Sequence, residues 1–277
     1  MSHLIRLAAA FAAATLLGAP AVAQQKDSYE PQVGQAGKDV IWVPTPDEVV
    51  DRMLRMAQVT PSDYVVDLGA GDGKIAIAAA RKFGARALGI EYNPDMAKHA
   101  QRNAEKAGVA GRAKIVQGDI FASDFSQATV VTMYLLPALN LKLRPQLLSM
   151  RPGTRVVSHS FNMEDWDPDE TSNMDGRRAY LWIVPASVTG GWTIDLGGER
   201  AELMLEQRYQ KISGYVSLGA VQAGLREASL RGFVIGFSYI DNAGVRRDFS
   251  GRVAGNRMEG SFRSDAGAEG RWSAVKK

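Results

Sequence analysis

The chain has 277 residues, room for one large domain or two modest ones, and its 45% apolar and 23% charged residues are those of a globular protein rather than a disordered or membrane-spanning one. Lys and Arg number 33 against 30 Asp and Glu, a formal charge of +3 with no basic cluster, so nucleic acid is not implied as a partner. The lack of cysteine excludes disulfides, thiolate catalysis and cysteine-bound metal, and three histidines far apart in sequence, His3, His99 and His159, argue against a zinc site.

Residues 1–6 carry one arginine, 7–18 are apolar or small, and Ala21-Val22-Ala23 supplies an A-x-A ending. This is the pattern of a secretory signal peptide over residues 1–23, cut before Gln24. The rival reading, a membrane anchor, needs about 20 apolar residues, more than this run offers. The expected location is the periplasm of a Gram-negative bacterium. Residues 24–39, rich in Gln, Gly and charge, read as a mobile lead-in.

A central domain is expected over residues 40–187. Thr45 reads as a helix cap, with Pro46 at the first helical position and Glu48 closing a capping box. Val49, Val50, Met53 and Met56 then recur at helical spacing. Residues 64–73 follow as Y-V-V-D-L-G-A-G-D-G, a short apolar strand broken by glycines at every second position, before an Ala-rich helix over 74–83. A strand, a glycine turn and a helix N-terminus form a seat for a nucleotide-like ligand. A dinucleotide fingerprint counted from Gly69 would need its third small residue at position 74, where Lys74 stands. That disfavours a nicotinamide oxidoreductase. A second strand over 86–91 ends on Glu91, placed where a carboxylate can accept from both ribose hydroxyls.

The string Asp67-x-Gly69-x-Gly71-x-Gly73, with its strand, its helix and the acid at 91, resembles the class I, seven-stranded S-adenosylmethionine-dependent methyltransferases. The resemblance implies a Rossmann-like doubly wound α/β sheet whose loop of Asp67, Gly69, Ala70, Gly71 and Gly73 wraps the methionine end of S-adenosyl-L-methionine. It further implies that Glu91, beside Tyr92, holds the ribose and that Asp119 accepts from the adenine amine. Ile120 and Phe121 would touch the ring, and the turn at Thr45 would roof the pocket.

Asn93, Pro94 and Gly108 delimit a further helix with an inner stripe of Met96, Ala100, Ala104 and Ala107, leaving His99 solvated. Strands follow over 113–116 and 129–135, a helix over 139–150, and strands over 154–160 and 179–184. The end of the 129–135 strand is where acceptors sit in open parallel sheets. It reads Thr132-Met133-Tyr134-Leu135 rather than the N/D-P-P-Y/F of enzymes acting on ring or amide nitrogens. Tyr134-Leu135-Leu136-Pro137, then Arg155-Val156-Val157-Ser158 and Phe161, resemble the lysine methyltransferases of the ATP-synthase c-subunit type, over roughly residues 39–184. The resemblance implies an amine acceptor, a protein lysine among the candidates, and an amine must arrive neutral. Tyr134 and His159 are the candidates to orient or deprotonate it. Residues 161–178, with Asp165, Trp166, Asp167, Asp169 and Glu170, read either as a lid over a cationic substrate or as a solvated loop.

From about Gly190 the period changes from helical to two. Ala201, Leu203, Leu205 and Tyr209 share one face, as do Phe233, Ile235, Phe237 and Tyr239. A small antiparallel all-β barrel or sandwich of seven or eight strands is expected over 188–277, with Trp192 and Trp272 plugging a filled core. Two functions fit the whole chain: a methyltransferase acting on an envelope protein, or an exported module that keeps the cofactor pocket without turnover.

Overall fold

The computed structural model describes residues 29–277; the expected signal peptide and the first part of the lead-in lie outside them. Val65, Val66 and Leu68 are fully buried in β1 (Tyr64–Leu68), an inner strand of a seven-stranded sheet. Its companions are β2 (Arg86–Glu91), β3 (Ala113–Gln117), β4 (Val130–Met133), β5 (Arg155–His159), β6 (Glu170–Met174) and β7 (Arg177–Ile183). The order is β3-β2-β1-β4-β5-β7-β6. Strands β1 to β5 run parallel, while β7 pairs antiparallel with both β5 and β6. The order reverses between β1 and β4, and an open α/β sheet binds ligands beyond the carboxyl ends at such a reversal.

The apolar faces of α1 (Asp47–Met56), α2 (Lys74–Phe83) and α3 (Pro94–Lys106) cover one side of the sheet, with Val49, Val50, Met53, Ala76, Ala79 and Ala100 in a shared core. On the other side α4 (Pro137–Leu148) packs Leu143 and Leu147 into a second core with Trp166 and Trp182. Asn93 caps α3 as its sequence demands, accepting from the amides of Asp95 and Met96. The capping box expected at Thr45 does not form. Pro46 occupies the cap position with no side-chain hydrogen bond, and the Thr45 hydroxyl is turned inward to His159. Glu48 instead pairs with Arg177 on β7. His99 is half-buried rather than solvated, its ring edge-on to Tyr29 at 6.1 Å.

The described part of the expected lead-in, from Tyr29, folds against the domain rather than running free. Residues 29–43 form a strap, in which Gly34 N donates to Trp42 O and Trp42 N to Gln35 O, with Ala36 bridged to Ile41. Polar composition suggests a free tail, but the strap's contacts come from backbone pairing and from single side chains that carry no periodic signal.

Nine antiparallel strands, β8 (Gly190–Asp195) through β16 (Glu269–Lys276), make the second sheet, in the order β11-β10-β9-β8-β16-β15-β14-β13-β12. This is one or two strands more than period-two reading gives, because the short β11 (Val221–Gly224) and β12 (Arg226–Arg231) flank a corner at Leu225. Leu225 N donates to Gly214 O on β10 (Lys211–Leu218), drawing the two ends of the sheet into a nearly closed barrel. Trp192, Trp272, Phe237, Phe249 and Tyr239 fill it. Both tryptophans bury their rings and satisfy their indole N–H on backbone carbonyls, Val188 O and Ser250 O. Two aromatics leave the expected inward faces. Tyr209 lies past the end of β9 (Arg200–Arg208) and stacks on Trp166, and Phe233 precedes β13 (Val234–Ile240) and packs against Gly153.

Residues 161–178 divide between a stretch tied to the barrel at Asp165–Asp167 and the hairpin of β6 and β7. Asp165 accepts from Arg144 on α4 and from Arg208 and the Tyr209 hydroxyl, Asp167 pairs with Lys211, and Trp166 is fully buried between the two sheets. The arginines Arg208 and Arg144 with Tyr209 hold the Asp165 carboxyl down at about 2. Asp165, Trp166 and Asp167 are the joint between the α/β sheet and the barrel. Among the described residues, no helix is long and apolar enough to cross a membrane.

Candidate active site

The alternation of glycines after β1 has a backbone cause. Gly69, Gly71 and Gly73 have φ of +77°, +54° and +81°, the left-handed region that L side chains rarely adopt. Gly69 N and Ala70 N both donate to Ile90 O, so the turn is tied to the end of β2. Close approach adds a second constraint at Gly71, where a Cβ would lie 2.5 Å from Trp42 Nε1. The strap therefore rests its indole directly on the glycine turn.

Beyond this turn lies a cavity of about 340 Å³, within the range of small-molecule sites. Thr45, Asp67, Gly69, Ala70, Gly71, Glu91, Tyr92, Asp119, Ile120 and Tyr134, all singled out in the sequence, line it. Two others do not. Gly73 caps α2 and abuts Ala100, where a Cβ would sit 3.1 Å from the alanine Cβ, so its glycine serves helix packing. His159 stands behind the wall, 4% exposed, with its ring centroid 4.0 Å from that of Tyr134 and Nδ1 3.2 Å from Thr45 Oγ1. Burial, aided by the charge of Arg177, lowers its pKa to about 4, so the ring is neutral at pH 7. It is a support for Tyr134 rather than a group facing the cavity.

Glu91 is fixed by both oxygens. Oε2 accepts from Gly71 N and Oε1 from Asn93 N, each at 2.9 Å, which aligns the carboxylate between the turn and the cap of α3. Asp119 Oδ1 accepts from Phe121 N, while Oδ2 pairs with Lys38 of the strap at 2.7 Å. The Lys38 ammonium lies 4.6 Å from the centre of the Tyr92 ring. The hydrogen bond from Lys38 and that from Phe121 hold the Asp119 carboxyl below its ordinary range. Asp67 is 2% exposed, and Oδ1 accepts from Thr132 Oγ1 on β4 at 2.7 Å. Burial, reinforced by Asp72 and Glu91 and opposed by Thr132, raises its pKa to about 7.

Among the described residues, five acids, Asp39, Asp67, Asp72, Glu91 and Asp119, line the cavity against two lysines, Lys38 and Lys74. A pyrophosphate would meet a surplus of carboxylates there, whereas a sulfonium carrying an ammonium group meets complementary charge. The donor set thus fits S-adenosylmethionine and not a dinucleotide. Tyr134, Leu136, Leu139 and Phe161 give the cavity wall an apolar part. Its Tyr134 and Phe161 rings are stacked with centroids 6.2 Å apart. The strap, Trp42, Asp72 and Met96 are wall residues that sequence reasoning missed. Met96 had a signal as part of the inner stripe of α3, and Trp42 had none beyond its size.

Comparison with known proteins agrees with this geometry. Residues 67–170 match the ANTKMT methyltransferase domain. A protein-lysine N-methyltransferase of Saccharolobus islandicus is 46% identical over 151 residues, 52% of this chain and 94% of the relative. The Mus musculus lysine N-methyltransferase of the ATP-synthase c-subunit is 34% identical over 132 residues, 47% of this chain, and the match spans only 53% of that protein. Among solved structures, an RNA methyltransferase of Salinibacter ruber in complex with S-adenosyl-L-homocysteine aligns with a TM-score of 0.52 and 53% identity, covering 53% of this chain and 96% of that one. Matched over nearly the full length of its archaeal relative, and with a cavity of the right charge and shape, the chain belongs to the protein-lysine N-methyltransferase family and is an S-adenosylmethionine-dependent methyltransferase.

Proposed function

We propose that the acceptor is the side-chain amine of a protein lysine, and that the enzyme acts outside the cytosol. The observation that carries the first part is the apolar wall that Tyr134, Phe161, Leu136 and Leu139 give the cavity. An amine entering it leaves water, and burial favours the uncharged, nucleophilic form. The names of the archaeal and mouse relatives support a lysine acceptor. So does the exposed apolar rim of Ile41, Val43, Tyr92 and Leu136, which suits a protein surface. An RNA acceptor would bring phosphates to a cavity lined by more acids than lysines, an unfavourable match.

Bound S-adenosylmethionine supplies an electrophilic methyl group. The glycine turn and Glu91 hold the cofactor's methionine end and ribose, and Asp119 receives the adenine amine once Lys38 moves aside. The rings of Tyr134 and Phe161 align the incoming amine and exclude water, the main contribution such a site makes to the rate. His159 and Thr45 keep Tyr134 in place. Export rests on the composition of residues 1–23.

The test is incubation of the purified protein with methyl-labelled cofactor and envelope extract, followed by mass spectrometry of labelled proteins. Methyl-lysine in a discrete protein is expected. Label confined to RNA would overturn the acceptor, and saturable cofactor binding with no transfer to any component would favour a binding module without turnover.

A further inference from the structure

Two features that lower stability meet at one wall residue of the cavity, Phe161. The first is Ser160, just past the end of β5, whose φ of +64° lies in the left-handed region that is unfavourable for any residue but glycine. Phe161 N donates to His159 O at 2.8 Å across it, closing a three-residue turn of a rare, strained kind, and Ser160 N donates to Arg178 O on β7. Such strain persists only where the surrounding structure holds it, and it concentrates at functional sites. The second feature is Asn140 on α4, fully buried, whose Oδ1 accepts from no donor among the described residues. A buried oxygen without a partner costs stability, so this side chain too carries a cost of its own.

The other end of the Asn140 amide has work to do. Nδ2 lies 3.2 Å from Phe161 O, 3.3 Å from Asn162 O and 3.4 Å from Ser158 Oγ. Two successive carbonyls can face only a donor, which fixes the amide this way round. One turn along the same face of α4, Arg144 donates to Met163 O at 3.1 Å. The helix therefore grips three consecutive carbonyls, and Asn140 holds the two next to the ring. The strained turn fixes the chain before Phe161, Asn140 fixes it after, and the ring lies on Tyr134 with the planes 22° apart. Asn140 is not itself among the wall residues, so it reaches the cavity through Phe161. We propose that Asn140 is a positioning residue for the methyl acceptor: by holding the Phe161 and Asn162 carbonyls it sets the Phe161 ring against Tyr134, and so governs alignment of the amine rather than affinity for the cofactor. This rests on the reading of the Tyr134–Phe161 wall as the acceptor's.

Label transfer from methyl-labelled S-adenosylmethionine to protein in envelope extract, followed against extract concentration, gives a maximal rate and an apparent KM. Calorimetry of the full chain with S-adenosylhomocysteine gives the cofactor Kd. Asn140→Leu keeps the volume and removes the donor. Its maximal rate is expected to fall by about tenfold to a hundredfold, the effect of a displacement of about 1 Å at a reacting pair, while the Kd stays within a factor of about three of wild type. Phe161→Leu should lose a similar factor, and the double variant should lose no more than Phe161→Leu alone, because the clamp then has no ring to place. Should Asn140→Leu fail to fold, Asn140→Ser, whose shorter side chain falls back from both carbonyls, gives the same comparison. A rate unchanged by loss of the amide, a Kd weakened as much as the rate, or losses that multiply in the double variant would overturn the role of Asn140. Absence of any transfer to protein by the wild type would instead remove the acceptor reading, and this inference with it.

Discussion

Removing the Glu91 carboxylate isolates the ribose-holding part of the site. Both its oxygens are held at 2.9 Å by backbone amides, Gly71 N on one side and Asn93 N on the other, so it meets a ligand already oriented. A hydrogen bond to a charged group contributes about 1.5–3 kcal/mol, so two bonds to ribose hydroxyls contribute at least about 3 kcal/mol. Glu91→Ala should therefore raise the Kd for S-adenosylhomocysteine by roughly 150-fold, each tenfold step being about 1.4 kcal/mol. Glu91→Gln keeps the volume and one accepting oxygen but sets an amide NH2 against one of the two backbone N–H groups. Its loss should fall between those of wild type and alanine. Isothermal calorimetry gives both constants, and thermal unfolding of the apo proteins separates damage to the turn from loss of ligand contacts. A Glu91→Ala affinity within a factor of about three of wild type, with the fold intact, would refute the ribose role.

Gly71→Ala should destabilise the protein by about 1–2 kcal/mol, the cost of a side chain in left-handed backbone. It should also displace the strap, because the new Cβ would lie 2.5 Å from Trp42 Nε1; a thermal scan and cofactor titration unchanged from wild type would contradict the close approach. His159 gives a pH signature. Its folded pKa, about 4, lies below the ordinary value of 6.5, so its contribution is present above pH 6.5 and lost as pH falls toward 4, by about 3 kcal/mol in all. Relative to wild type, His159→Gln should then look progressively less destabilised across that window in thermal unfolding, and a difference constant with pH would count against a buried neutral ring.

How much of this is legible in the sequence depends on whether a residue answers to its neighbours in the chain or to distant ones. The bounds of α2 and β2 follow from residues 74–83 and 86–91 because Ala-rich helical spacing and an apolar strand ending on an acid are local signals. The glycine turn is equally plain, since each of its left-handed positions selects its own residue. Thr45 misleads because its local context is that of a cap, yet a residue 114 positions away claims the hydroxyl. Lys38 and Trp42 lie in a polar stretch with no period, and only the folded chain brings them to Asp119 and Gly71. The acids of residues 161–178 are visible as charges, but their partners Arg208 and Lys211 belong to the barrel.

That joint also bears on what the barrel does. Gly153, just ahead of β5, packs against Phe233, and Ala186, just after β7, donates its amide to Gly232 O. Because β5 and β7 are antiparallel, both contacts fall at the sheet edge opposite the carboxyl ends of β1 and β4. Among the described residues, the cavity wall runs from Gln35 to Phe161 and takes none from the barrel. Trp166, buried between Trp182 and Tyr209, fixes the two units together without reaching the cofactor seat. The roof of the site is the strap, which carries Lys38, Trp42 and the exposed Ile41 and Val43.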